Sequence, residues 1–179
     1  MPLDLWPDTV NIFYDCEFTK LQQPFDPEPN ELISIGCVSE SGKTFYAENA
    51  TTLARPHIFS EFVVENVVPL LEGGDVAIPY IEIAHQLKAW VESFDGEVKL
   101  WSDAPYFDWQ HVKHMFDNNG WPANLVRKSA MIQFDSSIKQ TRFDNALEQL
   151  MKSKSLRQHH ALDDAKANIL SYHKAMARF

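Results

Sequence analysis

The sequence predicts an α/β layered domain, a mixed sheet with helices on both faces. Two observations carry that prediction. Short apolar runs separated by turn signals fill the chain up to residue 48, and from about residue 59 the apolar spacing becomes helical and alternates with two further strands. Strands joined by short connections form an antiparallel meander, whereas strands joined through helices add in parallel. The expected sheet has five strands, three antiparallel and then two parallel.

The first strand covers residues 11–17, and Pro24, Pro27 and Pro29 make residues 20–30 a loop or hairpin connection. Residues 31–38 form a second strand, apolar enough to be covered on both faces. Ser41-Gly42 is a turn signal before a third strand at 43–48. Phe59, Phe62, Val63, Asn66, Val67 and Leu70 are then spaced for a helix that Pro69 and Gly73-Gly74 close. A second helix opens near Pro79, aligns Ile83, Leu87, Trp90, Val91 and Phe94 on one face, and stops at Asp95-Gly96. A strand at 98–102 leads to a helix from about Pro105 through Asp117, and a further strand is expected at 130–134. Two helices finish the chain, over 142–152 and 161–176; the last has Leu162, Ala165, Ile169, Tyr172 and Met176 as its buried stripe.

With 179 residues, the chain is long enough for one substantial core and short for two, so residues 1–179 are expected to be a single domain with 1–9 as an N-terminal extension. No apolar run approaches the roughly 20 residues of a membrane span, and the acidic, proline-punctuated start is no secretory signal. Cys16 and Cys37 lie inside apolar strands and match no zinc spacing, which suits reduced core thiols and a cytoplasmic setting. Residues 1–98 carry 4 basic and 17 acidic side chains and residues 99–179 carry 12 and 8, so the net charge of −9 divides into −13 and +4. Such a chain is a poor nonspecific binder of long nucleic acid, and composition alone favours a small-molecule or protein partner. A nucleic-acid end remains accessible to it if metals and a local basic patch neutralise the phosphates.

Three acidic positions stand out. On the first strand Phe13, Asp15 and Glu17 share one face, opposite Tyr14 and Cys16. Two carboxylates roughly 7 Å apart on one face raise each other's pKa unless a cation lies between them, and hard oxygen ligands suit Mg²⁺ or Mn²⁺. Alone, the pair reads as an exposed strand end. Asp108 lies in the first turn of a helix a few residues beyond the 98–102 strand; Asp103 is the more natural N-cap, which leaves Asp108 without that explanation. His159-His160-Ala161-Leu162-Asp163-Asp164 opens the last helix, where Asp164 can face the sheet end and Asp163 points outward. The alternative is that the two aspartates cap the helix and the histidines are surface residues. Together, four carboxylates at strand and helix ends, with one histidine to take a proton, compose a two-metal phosphodiester site.

The ordered motifs resemble a known family. The first-strand D-x-E, the aromatic-Asp after a middle strand and the His-x4-Asp on the last helix are similar to those of the DEDDh 3′–5′ exonucleases of the ribonuclease H-like superfamily. Phe13 to Phe18, Glu31 to Gly36, Asn66 to Leu70, Leu100 to Asp108 and His159 to Ala165 most resemble the small bacterial and phage 3′–5′ exoribonuclease group, from about residue 11 to 175. The resemblance implies that Asp15 bridges two metal ions, Glu17 and Asp164 hold the catalytic one, Asp108 holds the second partly through water, and His159 is the general base. His160 has the x3 spacing at which the sister DEDDy group places a tyrosine. Many relatives have His-Asn-Ala where this chain has Ser102-Asp103-Ala104, which puts the substrate hydrogen bonds of that Asn in question.

Phe18 and Thr19 occupy positions that contact the terminal nucleotide in relatives, and Tyr106 belongs to the same substrate-side set. Phe18 has two readings, stacking on a base or filling the core. Lys152, Lys154 and Arg157 precede His159 as candidate phosphate contacts, against the reading of a solvated loop. The implied function is a metal-dependent exonuclease releasing nucleoside 5′-monophosphates from a 3′ end of single-stranded or 3′-overhang RNA. RNA is favoured over DNA by the resemblance alone, and a homodimer is expected by analogy. A DNA 3′–5′ exonuclease is the alternative enzyme. A catalytically silent binding module on the same fold has no need of Asp15, Glu17, Asp108, Asp164 and His159 together.

Overall fold

The computed structural model describes residues 9–21 and 29–177. Its strands are β1 (Thr9–Phe18), β2 (Leu32–Ser39), β3 (Thr44–Asn49), β4 (Ala77–Ile78), β5 (Glu97–Ser102) and β6 (Ala130–Met131). Its α-helices are α1 (Ala50–Leu53), α2 (Glu61–Asn66), α3 (Tyr80–Glu92), α4 (Pro105–Asn119), α5 (Ser137–Lys152) and α6 (Ala161–Met176). The sheet order is β4-β3-β2-β1-β5-β6. β1, β2 and β3 form the expected antiparallel meander, and β5 adds to β1 in parallel.

Two cores flank the sheet. On one face Ile12, Tyr14 and Cys16 of β1 pack with Ile83, Leu87 and Val91 of α3 and Val112, Met115 and Phe116 of α4. On the other, Phe13 and Trp101 pack with Phe143 of α5 and Ala165, Ile169 and Tyr172 of α6. β1 is covered on both sides, and each apolar side chain it buries contributes about 1.5–3 kcal/mol. Cys16 and Cys37 are buried free thiols. Among the described residues no helix is long and apolar enough to cross a membrane.

Several expected boundaries move. The sheet has six strands rather than five, because Ala77–Ile78 pairs in parallel with Glu48 and Asn49; two residues are too few to show a strand period. β6 ends at Met131 rather than residue 134. Ile132 N still donates to Ser102 O (2.9 Å), but Phe134 then turns inward to stack on Tyr172 and pack on Phe143. The helix expected from Phe59 to Leu70 is split. Ser60 caps α2, and a 3₁₀ turn at Val68–Leu70 takes over where Pro69 has no N–H to continue the helix. α5 begins five residues early, at Ser137, because Ser136 caps it through Lys139 N (3.3 Å). Of the connection expected at 20–30, residues 22–28 lie outside the described residues, as do residues 1–8 of the N-terminal extension.

Candidate active site

The site is built where β1 meets the entry to α6. Asp15 pairs across the ladder with Gly36 of β2. A Cβ on Gly36 would stand 2.2 Å from Leu162 N and 2.3 Å from its Cα. The missing side chain therefore lets the first turn of α6 lie directly on the sheet beside the two β1 acids. His160 caps that turn, its Nδ1 accepting from Asp163 N at 3.4 Å. Asp164 Oδ2 accepts from His159 N at 2.8 Å, which ties the metal-type carboxylate to the histidine's own backbone.

Two groups of candidate ligands result. Donor atoms of Glu17, His159 and Asp164 lie within 4.8 Å of one another, and so do those of Asp15, Asp103 and Asp108. The five residues expected from the sequence are thus brought to one place, with Asp103 as an addition. Asp108 is 2 % exposed and accepts a hydrogen bond from the Ser102 hydroxyl. Asp103 is not the cap of α4. Ser102 Oγ takes the Ala104 N–H (2.9 Å), Pro105 follows at the first helical position, and the Asp103 carboxylate instead accepts from Asn168 Nδ2 at 2.9 Å. Asn168 stands one turn beyond Asp164 on α6, a periodicity visible in the sequence. Gly36, Ser102 and Asp103 leave no comparable signal. Asp15, Asp103, His159, Asp164 and Asn168 line a cleft of about 600 Å³ that continues along α5 past Lys152.

The electrostatics call for a cation. Among the described residues none of Asp15, Glu17, Asp108 and Asp164 takes part in an ion pair. Burial, then the neighbouring Asp108, Glu17 and Asp164, hold the Asp15 carboxyl well above the ordinary range. Burial and then Asp164 and Asp108 push Glu17 to about 8. Burial lifts Asp108 to about 7 against the pull of the Ser102 hydroxyl, and lifts Asp164 to about 7 against the His159 N–H. Crowded, desolvated carboxylates of this kind hold either protons or a hard divalent ion, and an all-oxygen set with one imidazole fits Mg²⁺ or Mn²⁺. Burial lowers the His159 pKa, which keeps its ring neutral at pH 7. The residue has φ 67°, a left-handed conformation uncommon outside glycine, and its ring meets the edge of Phe62 at 5.0 Å.

The remaining candidates scatter. Phe18 packs on the core face of Ile12, Tyr14 and Cys16, as strand alternation places it, although the β1–β2 register shifts between Glu17 and Phe18. It is half-buried at the α4 side, stacked on His111 (5.3 Å) and Phe107 (6.3 Å). Thr19 is buried, and its hydroxyl accepts from Glu31 N at 3.0 Å. Tyr106 is 83 % exposed, in a separate groove. Lys152 lines the cleft while paired with Glu148, and Lys154 is exposed. Arg157 is engaged by acids: its Nε meets Asp163 Oδ2 at 2.6 Å and its other nitrogen meets Glu72 Oε1 at 3.1 Å. Asp163, expected to point outward, is 6 % exposed for that reason, with Arg157 supplying the compensating charge. His160 is no surface residue either. It is 1 % exposed and stacks on Tyr46 at 4.5 Å.

No family model and no curated relative matches the chain. Solved structures do. The nuclease domain of 3′hExo, a DEDDh family member bound to rAMP, matches with a TM-score of 0.62 and 20% identity over 93% of this chain and 92% of that one. E. coli exonuclease I in complex with a dT13 oligonucleotide matches with a TM-score of 0.56 and 13% identity over 93% of this chain and 41% of that one. This chain spans about two fifths of the length of exonuclease I. At such identities the likeness is one of fold, and the chain has the ribonuclease H-like fold of the DEDDh 3′–5′ exonucleases.

Proposed function

We propose that the protein is a metal-dependent 3′–5′ exonuclease that releases nucleoside 5′-monophosphates from single-stranded or 3′-overhang RNA. One observation carries the reading: four carboxylates from three distant segments converge with no ion-pair partner among the described residues, and an imidazole lies among their donor atoms. Divalent ions held by Asp15, Glu17, Asp108 and Asp164 would lower the pKa of the attacking water and stabilise the oxygens of the in-line displacement. Asp15 shares a ligand group with Asp103 and Asp108 and also feels the charge of Glu17 and Asp164, so it would serve both ions, with Glu17 and Asp164 holding one and Asp108 the other. His159 accepts the proton of the attacking water. Its lowered pKa suits that role near pH 7, and the bond from its backbone to Asp164 fixes it relative to the carboxylate ligands. Asp103, hydrogen-bonded to Asn168, adds charge beside Asp15 and Asp108 and serves as an outer support of that side.

RNA is put first because the sequence motifs run closest to the exoribonuclease group. DNA is the second reading, favoured by the likeness to exonuclease I, which has been captured with dT13. One assay tests both. 5′-Labelled single-stranded RNA, single-stranded DNA and a 3′-overhang duplex are incubated with Mg²⁺, Mn²⁺ or EDTA, using Asp15→Asn as control. A ladder shortening from the 3′ end, with RNA cut faster, is expected with either metal. Cleavage that survives EDTA or Asp15→Asn would overturn the mechanism.

A further inference from the structure

A second cavity, of about 610 Å³, lies at the β5–β6 edge of the sheet beside the first turns of α4. Among the described residues Lys99, Tyr106, Trp109, Lys128 and Gln133 line it, and no carboxylate does. That is unusual in a chain of net charge −9. The acid cleft is lined by Asp15, Asp103, Asp144, Glu148 and Asp164, and the cavity beside α1 includes Glu31. Tyr106 presents its ring to solvent, 83 % exposed, and among the described residues it has no ring partner. Lys128 is exposed and among the described residues is in no ion pair, and the neighbouring Arg127 lies over Trp121, whose ring is 5.8 Å from Trp109. The groove starts close to the acids: Tyr106 is two residues before Asp108, and Pro105, also in its wall, is two after Asp103.

A groove with an exposed aromatic ring and lysines but no carboxylate among its described lining residues suits a sugar–phosphate backbone with unpaired bases, since stacking and phosphate contact both tolerate any sequence. We propose that this groove holds the single strand upstream of the nucleotide being removed, with Lys128 meeting its phosphates and Tyr106 stacking a base. The inference rests on the nuclease reading above and adds where the rest of the substrate lies. It also answers the charge problem, because the strand leaves an acidic cleft for the basic part of the surface.

The test is length-dependent binding. The full chain carrying Asp15→Asn is titrated with mixed-sequence single-stranded RNA of two and of twelve nucleotides in Mg²⁺, with and without Tyr106→Ala and Lys128→Glu. The paired substitutions are expected to weaken the twelve-nucleotide strand by about tenfold or more and to reduce its salt slope by about one to two. They should leave the dinucleotide within twofold, and Lys128→Arg should behave as the parent. Equal loss at both lengths, or an unchanged twelve-nucleotide affinity, overturns the groove alone. Polyglutamate that competes as well as RNA of equal charge would also overturn it, by making the occupant an acidic peptide. If the parent binds neither RNA, the nuclease reading falls, and the groove with it.

Discussion

A methyl group on Gly36 would stand 2.2 Å from the backbone nitrogen of Leu162. Gly36 is also the ladder partner of Asp15, so the contact sets how near Asp164 comes to the β1 acids. Gly36→Ala should force α6 outward. Overpacking costs about 1–3 kcal/mol, and here the obstacle is backbone rather than a flexible side chain. The expected result is a lower melting temperature with kcat reduced by about 100-fold, the scale of a 1 Å misplacement. Thermal melts beside single-turnover assays check it, and a folded variant with parental kcat would rule out this role.

The metal-free protein should lose stability as pH rises above neutrality. Glu17 at about 8 and Asp108 and Asp164 at about 7 have folded pKa values above their unfolded ones, so the unfolded state is the better acid. Their contribution is fully present below about pH 4 and is lost as pH climbs through 7 to 8. His111, lowered to about 4 by burial, works the other way, but its effect is complete once pH exceeds about 6.5. Melting in EDTA from pH 7 to 9 therefore reports the carboxylates, and Mg²⁺ should raise the melting temperature more at pH 8.5 than at pH 6. A flat profile in EDTA would contradict the clustering.

The two histidines should separate cleanly. His159→Ala is expected to cost about 10²–10⁴ in kcat with little change in melting temperature, as for a lost general base. His160 is buried, caps α6 and stacks on Tyr46, so His160→Ala should cost about 1 kcal/mol or more of stability and leave a base in place. Near-normal turnover in the first variant would remove His159 from the mechanism.

Arg157 bridges Asp163 and Glu72, and Glu72 and Gly73 in turn donate their N–H groups to the fully buried Glu48 (2.6 and 3.0 Å). This anchors the turn that carries His159. Arg157→Ala should accordingly lower kcat about tenfold while KM stays within twofold. Lys154→Ala, in the same loop, should raise KM and reduce the salt slope by about one. A KM effect from Arg157→Ala would return it to the phosphate contacts expected from the sequence.

The long periodic elements were readable in the chain because burial imposes their period. β1, with both faces covered, and α6, whose stripe of Ala165, Ile169 and Tyr172 packs on Phe13 and Trp101, follow directly from the pattern. The carboxylates were readable because several at strand and helix ends have few other uses. What the pattern missed depends on contacts between distant segments. Asp103 satisfies every local rule for a cap, and only the approach of Asn168, 65 residues away, gives it another use. Arg157 resembles any solvated loop cation until Glu72, 85 residues earlier, is beside it. Phe18 was readable by alternation with Tyr14 and Cys16, and it packs on their core despite the register shift between Glu17 and Phe18.

Asp15 and Glu17 lie on β1, Asp108 opens α4, and His159 and Asp164 arrive only with α6. A growing chain therefore carries three of its four carboxylate ligands before Asp164 and His159 exist. Truncation before Ala161 should leave no cleavage, however well the sheet forms. On the exoribonuclease reading, a chain still on the ribosome cannot attack the message that encodes it until that last helix has docked on Gly36.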